Sequence, residues 1–360
     1  MRTLNRYLGR EVLYATLLIF VALLALFAFF DLIHELGNVG KDEYTLGRAM
    51  LFVSLNMPGR LYELFPVAAL IGTLFALSQL VANSEYTVMR ASGMSLSQVT
   101  WALVRIGIPL AIATFLAGEL VAPPAERLAQ QVRVQSFGAG GRIAAQQFES
   151  GFWFKQEQTF VNVRNVMPDM TLNGVKIYEF DKNLRLTSLR VADAGRFVAD
   201  GVWELANVKT TLFEGIGARV TRADGERWET VLRPSLLNVY QVPPERLELA
   251  SLWDNISVLG HNQQKTSRFE IAFWNKVFYP VAVVVMMVLA LPFSYFQRRS
   301  GGVGFRIFVG TIVGLVFFLV ARLFSNLGII NDWPPLFSAA FPVFAFMVVT
   351  VALLWRLERR

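Results

Sequence analysis

Cysteine is absent from the 360 residues, and histidine occurs only as His34 and His261. The first absence removes any disulfide framework and any thiolate metal or redox centre. The second leaves two imidazoles far apart in sequence. His34-Glu35 would need a histidine at position 38 to start a zinc-protease helix, and Asn38 stands there. Nucleotide and hydrolase signatures are missing as well. Gly40-Lys41 is followed by Asp42, with Glu35 where a P-loop begins with glycine. Gly215-Ile216-Gly217 runs on to Val220 rather than to a third glycine. Gly93-Met94-Ser95-Leu96 meets Ser97 where a nucleophile elbow needs glycine. These gaps argue against an enzyme and against a cofactor or metal held by this chain. Charge is also scarce, at 17% of residues, against about 25% in an ordinary soluble domain.

What fills the space is apolar: 54% of residues are hydrophobic, and they gather in runs near both ends. A helix crosses a bilayer with about 20 apolar residues. Six segments qualify, at Val12–Phe30, Leu61–Val81, Val99–Val121, Ile271–Phe296, Val303–Leu327 and Leu336–Trp355. The first is long enough to span and lacks a small-residue cleavage site, so it reads as an uncleaved helix. The pattern is three spans, a middle domain, three spans.

The net charge of +7 suits nucleic acid or anionic lipid, or it marks topology. The loops favour topology. One side carries Arg2, Arg6, Arg10, Arg90, Arg298, Arg299, Arg306, Arg356, Arg359 and Arg360. The other carries Lys41 and Arg48 against Asp31, Glu35, Asp42, Glu43 and Asp332. The positive-inside rule then puts both termini in the cytoplasm and the middle domain outside.

Pro123-Pro124 is expected to end the third span sharply, with a polar helical stretch over Ala125–Gln135. From Phe152 to about Tyr240 the texture is that of short strands. Asn173-Gly174, Asp200-Gly201 and Asp224-Gly225 are expected hairpin turns. Strands at this spacing imply a sandwich, a jelly roll or an open barrel. Val242–Ser257 reads as a polar, partly helical linker. The expected domains are 1–122 (spans one to three, with a short helix at about 83–92), 123–265 (β-rich, with helical linkers) and 266–360 (spans four to six). The fold class is membrane α-helical, 3 + 3, with an inserted all-β, jellyroll-like domain.

The loop Asn83–Gly93 carries the sharpest local signal. Asn83 or Ser84 can cap a helix start, and Gly93 can end it in the left-handed conformation. Ser95 with Gln98 forms a capping box for the next span. Glu85 and Met89 share a face at i, i+4. Two readings fit: an interfacial connector with a solvated Glu85, or a coupling helix seated in a cytoplasmic motor protein, with Tyr86 and Arg90 beside it.

Cations near the outer ends of spans are the second signal: Lys41, Arg60, Arg133 and Arg322. They fit simple snorkelling anchors, or contacts to anionic head groups. Phe27, Phe29, Phe30, Phe65, Phe308, Phe317 and Phe318 fit helix packing and lipid contact, or an acyl-chain surface.

The 3 + β + 3 layout, Ser84-Glu85-Tyr86-Thr87-Val88-Met89-Arg90-Ala91-Ser92-Gly93, Phe65–Gly72 and Phe273-Trp274-Asn275-Lys276-Val277-Phe278-Tyr279-Pro280 resemble the lipopolysaccharide export permeases LptF/LptG over the whole chain. Gly151–Lys155 and Pro334-Pro335 resemble the LptG branch more than the LptF branch. The resemblance implies an inner-membrane permease subunit, paired with an LptF-like paralogue on an LptB-like ATPase dimer. That ATPase would bind the ATP and Mg. Lipopolysaccharide would pass to LptC/LptA-like periplasmic jellyroll proteins. Glu85 would engage the ATPase, and Arg133 a lipid phosphate. A departure is also visible. Where LptG-type members of the family carry lysines toward the end of the first span, this chain reads Phe29–Glu35, with Lys41 and Arg60 as the nearest substitutes. A non-transport membrane scaffold, binding a partner by its β-domain, is the alternative of a different class; it would purify without an ATPase.

Overall fold

The computed structural model describes residues 2–41, 43–136, 151–167, 171–181, 183–199, 201–214, 217–230, 232, 243–261, 264–296 and 303–359. Six of its helices are long and apolar enough to cross a membrane. The first three spans come from α1 (Arg2–Leu36), α2 (Leu46–Ala82) and α4 (Leu96–Leu116), with α3 (Glu85–Ala91) between α2 and α4. A π-helical segment (Ala117–Val121) joins α4 to α5 (Ala122–Ser136). After the β-domain come a 3₁₀ turn (Pro244–Arg246), α6 (Leu249–His261), and the spans α7 (Ser267–Phe296), α8 (Val303–Ile330) and α9 (Pro335–Glu358).

Several helices outrun the apolar runs that mark them. At 1.5 Å per residue, the 37 residues of α2 extend about 55 Å, well past a hydrocarbon core of about 30 Å. Its first turn is capped by Thr45, whose hydroxyl accepts from the Arg48 amide at 3.4 Å. Pro123-Pro124 does not end the third helix. Both prolines lie in the first turn of α5, where missing N–H groups cost least. The π segment just before them absorbs the change in hydrogen-bond spacing.

Burial divides the spans. The apolar windows of α2 and α7 are 72% and 67% buried, whereas those of α1 and α8 are 22% and 17%. So α2 and α7 form the centre of the block, and α1 and α8 present open apolar faces. Close approach at the α1–α2 crossing depends on Gly72: a Cβ there would lie 2.4 Å from Thr16 Cα.

The β-domain is one sheet with strands in sequential order, all antiparallel: β1 (Phe152–Gln156), β2 (Thr159–Val166), β3 (Leu172–Phe180), β4 (Leu186–Ala199), β5 (Val202–Glu214) and β6 (Gly217–Glu229). One face carries the core: Phe154, Val161, Val163, Val175, Ile177, Trp203, Leu205 and Trp228. The outer strands meet at one end, where Thr230 Oγ1 donates to Gln156 Oε1 at 2.9 Å. Trp203 Nε1 donates to the Leu232 carbonyl at 2.7 Å, closing that end over the core.

Only one of the three expected turn dipeptides is a turn. Ala199 pairs with Val202 across a two-residue connection, in which Gly201 has φ 78°. Asn173-Gly174 sits inside β3, where Gly174 at φ 65° interrupts the pleat. Gly225 sits mid-strand opposite Ala206. Glu214 pairs with Gly217 at the other end of this strand pair, and residues 215–216 lie outside the described residues. Cross-strand pairing of long strands overrode the local turn preference at both sites.

Candidate functional site

A cavity of about 230 Å³ opens on the β-domain side of the helix block. Its walls come from the end of α1 (Asp31, His34, Glu35), the first half of α2 (Phe52 to Arg60), α5 (Glu126, Gln130, Arg133) and Arg246. The long α2 makes this possible, because its extra turns stand beside α5 rather than in the apolar core.

Each arginine in the cavity faces a carboxylate. Arg60 donates Nε and Nη2 to Asp31 at 3.0 and 2.8 Å, and Nη1 to Glu63 at 3.0 Å. This is the two-pronged geometry that a guanidinium offers to carboxylate or phosphate. Arg60 also lies 5.8 Å from the centre of the Phe27 ring. Arg246 donates to Glu126 at 2.5 Å. Arg133 is held more loosely. Its nearest Glu35 oxygen is 4.0 Å away, its buried Nε makes no hydrogen bond among the described residues, and its guanidinium rests 5.1 Å from the Phe52 ring centre. Behind it, Tyr44 is buried next to Glu35. Burial pushes its hydroxyl well above the ordinary tyrosine pKa, and its hydrogen bond to Glu35 adds to that.

Of the four cations expected to meet head groups, the cavity gathers Arg60 and Arg133. Lys41 lies outside its walls, on the exposed loop after α1, donating to Asn38 at 3.1 Å. Arg322 is exposed on α8 and is not part of the cavity. The aromatic residues separate in the same way. Phe27 borders the cavity, and Phe30 and Phe308 are exposed on α1 and α8. Phe65 and Phe317 are buried in packing, edge-on to Phe20 at 5.3 Å and to Phe346 at 5.1 Å. The carboxylates Asp31, Glu35 and Glu126, and Arg246, were not singled out from sequence. Asp31 and Glu35, one turn apart before the loop, carried a readable signal; Arg246 did not, because its partner lies 120 residues away.

At the opposite end, α3 spans seven residues and is capped at its C-terminus by Ser92, followed by Gly93 at φ 92°. Ser84 starts it in a left-handed conformation and makes no side-chain cap. The capping box of Ser95 with Gln98 is present on α4. Tyr86 and Met89 are buried in the block, so they anchor α3 rather than face outward. Thr87, Val88, Arg90 and Ala91 are exposed, with Glu85 half-buried. Among the described residues no group of three or more His, Asp or Glu is placed to hold a metal.

A model of the family described as lipopolysaccharide export system permease LptF/LptG matches residues 6–356. Lipopolysaccharide export system permease protein LptG of Haemophilus influenzae is 33% identical over 359 residues, 99% of each chain. LptG of Escherichia coli K12 is 31% identical over 355 residues, 98% of each. LptF of Escherichia coli K12 is 23% identical over 335 residues, 90% of this chain and 86% of that one.

Proposed function

The chain belongs to the lipopolysaccharide export permease LptF/LptG family, and from that premise we propose how it handles its glycolipid. It is a lipopolysaccharide export permease subunit of the inner membrane, one of a permease pair. We assign it the LptG-type place in that pair, because its identity to the LptG relatives exceeds that to LptF.

The observation that carries the site is the cavity joining Arg60 and Arg133 beside the open aromatic face of α1. A lipid A phosphate has the geometry to replace a carboxylate on either guanidinium. Acyl chains then lie along Phe27 and Phe30, and against the partner's helices. The open faces of α1 and α8 support a lateral entry between this subunit and its LptF-like paralogue. Lys41 and Arg322 serve as outlying contacts at the entry. Energy comes from an LptB-like ATPase dimer that binds ATP and Mg and receives α3 by its exposed side, with Glu85 and Arg90. The β-domain, on the periplasmic side with both termini cytoplasmic, hands the lipid to LptC/LptA-like jellyroll proteins.

Photocrosslinkers at Phe30 and Phe308 test the entry route in vesicles that contain the assembled complex. Both are expected to capture lipopolysaccharide under ATP turnover; silence at both would refute the route.

A further inference from the structure

Lys276 lies within the Phe273–Pro280 motif and is 4% exposed. A buried ammonium requires a partner. Its Nζ donates to Glu119 Oε1, on the π segment of the third span. It also lies 5.7 Å from the centre of the Tyr62 ring, which stacks on Tyr279 at 3.8 Å. The other carboxylate oxygen, Glu119 Oε2, accepts from the Leu249 backbone N–H at 2.8 Å. Leu249 is the first residue of α6. The N–H groups of a first helical turn have no partner in their own helix, and that end carries partial positive charge.

One carboxylate therefore joins three elements: the third span, the fourth span, and the helix that returns the chain from the β-domain. Two further ion pairs tie α5 to the same stem, Arg246–Glu126 and Arg127–Glu248. The Lys276–Glu119 pair differs from them in that both of its side chains are buried, 5% and 13% exposed, whereas Arg246 and Arg127 are 35% and 63% exposed. A buried ion pair is a poor source of stability, since a well-packed apolar pair does as well or better. What an apolar pair cannot do is accept the Leu249 N–H. The π turn fits this role, because such bulges re-aim side chains within an otherwise regular helix and gather at functional positions.

We propose that Glu119 and Lys276 are positioning residues for transport. Lys276 holds the carboxylate, and the carboxylate holds the start of α6, so that movement of the helix block carries the stem of the β-domain with it. The proposal rests on the transport reading above.

Leu249→Pro removes the donor together with the leucine side chain and keeps the helix start, since proline suits the first helical position; Leu249→Ala controls for the lost side chain. The readout is ATP-driven release of lipopolysaccharide from vesicles, carrying the whole complex, to a soluble β-jellyroll acceptor. Release is expected to fall about tenfold or more in L249P, the scale of one hydrogen bond to a charged group, and to stay at the unmodified rate in L249A. Lipopolysaccharide-stimulated ATP hydrolysis and thermal stability are expected to hold in both. The double variant Glu119→Leu with Lys276→Met should match L249P, because it removes the acceptor without stranding a charge. Equal release by L249P and L249A would overturn the proposal. Absence of ATP-driven release from the unmodified complex would overturn the transport reading instead.

Discussion

The Tyr7 hydroxyl donates to Glu85 Oε2 at 2.8 Å, linking the first helix to the short inter-span helix 78 residues on. Asn83 Nδ2 donates to the other oxygen at 3.4 Å. The carboxylate proposed to meet the ATPase is thus already held from within the chain, by the helix that borders the proposed lipid entry. Glu85→Arg is expected to bring co-purified ATPase to background, because a groove suited to an acid then meets a cation. Tyr7→Phe frees the carboxylate and is expected to tighten ATPase binding by roughly three- to fivefold. Titration of the solubilised permease pair with the ATPase measures both. Full ATPase binding by the Arg variant would remove Glu85 from the interface.

Asp31 occupies the two-pronged face of Arg60 that a phosphate would use. Asp31→Asn should therefore increase lipopolysaccharide retained through purification, while Arg60→Ala should lower it about tenfold or more, the weight of one charge-assisted contact. Quantifying lipid A phosphate per mole of protein separates the two. A fall in both variants would mean that the ion pair shapes the cavity rather than competing for it.

Tyr44 supplies a pH test. Its raised pKa means that the folded state favours the neutral phenol. The stabilisation it brings is complete below the ordinary tyrosine value of about 10 and is lost as pH rises through the raised folded value. Tyr44→Phe removes a donor from the buried Glu35 and is expected to cost about 1–3 kcal/mol. Melting curves of both proteins should differ by a constant margin from pH 6 to pH 9, as approximate bounds set by that pKa, and converge above it. A margin that grew with alkalinity would reverse the assignment.

Gly72 and Gly304 form a matched pair. A Cβ at Gly72 meets Thr16 backbone at 2.4 Å, whereas one at Gly304 meets nothing within 4 Å. Gly72→Ala is expected to destabilise by about 1–3 kcal/mol through overpacking, and Gly304→Ala to be neutral or slightly stabilising. Thermal unfolding in detergent decides it; equal midpoints would show that the α1–α2 crossing relaxes freely.

Much of this architecture is legible in the amino-acid sequence. Six spans and a strand-rich insert follow from apolar runs and from β-branched and aromatic segments, which act locally. The turn at Gly201 is readable because a tight connection between paired strands demands a positive φ, which glycine supplies. Asn173-Gly174 and Asp224-Gly225 misled for the complementary reason: a dipeptide that permits a turn does not compel one when long strands pair around it. Pro123-Pro124 misled because a proline at the start of a helix breaks nothing.

The cavity shows the same division. Arg60 and Arg133 were visible as cations near span ends, and Glu85 as the acid that opens a short helix. Their partners were not visible. Asp31 with Arg60, Glu126 with Arg246, and Glu119 with Lys276 and Leu249 lie 29, 120, 157 and 130 residues apart. Sequence by itself determined the spans, the inserted domain and the family, because hydrophobic run length and motif spacing are local properties. Only the tertiary structure decided which charges are paired, that Phe65, Phe317, Tyr86 and Met89 face inward, and that one buried carboxylate joins three elements. Those outcomes depend on how helices pack across long sequence distances, where burial makes each unpaired charge costly and so dictates its partner.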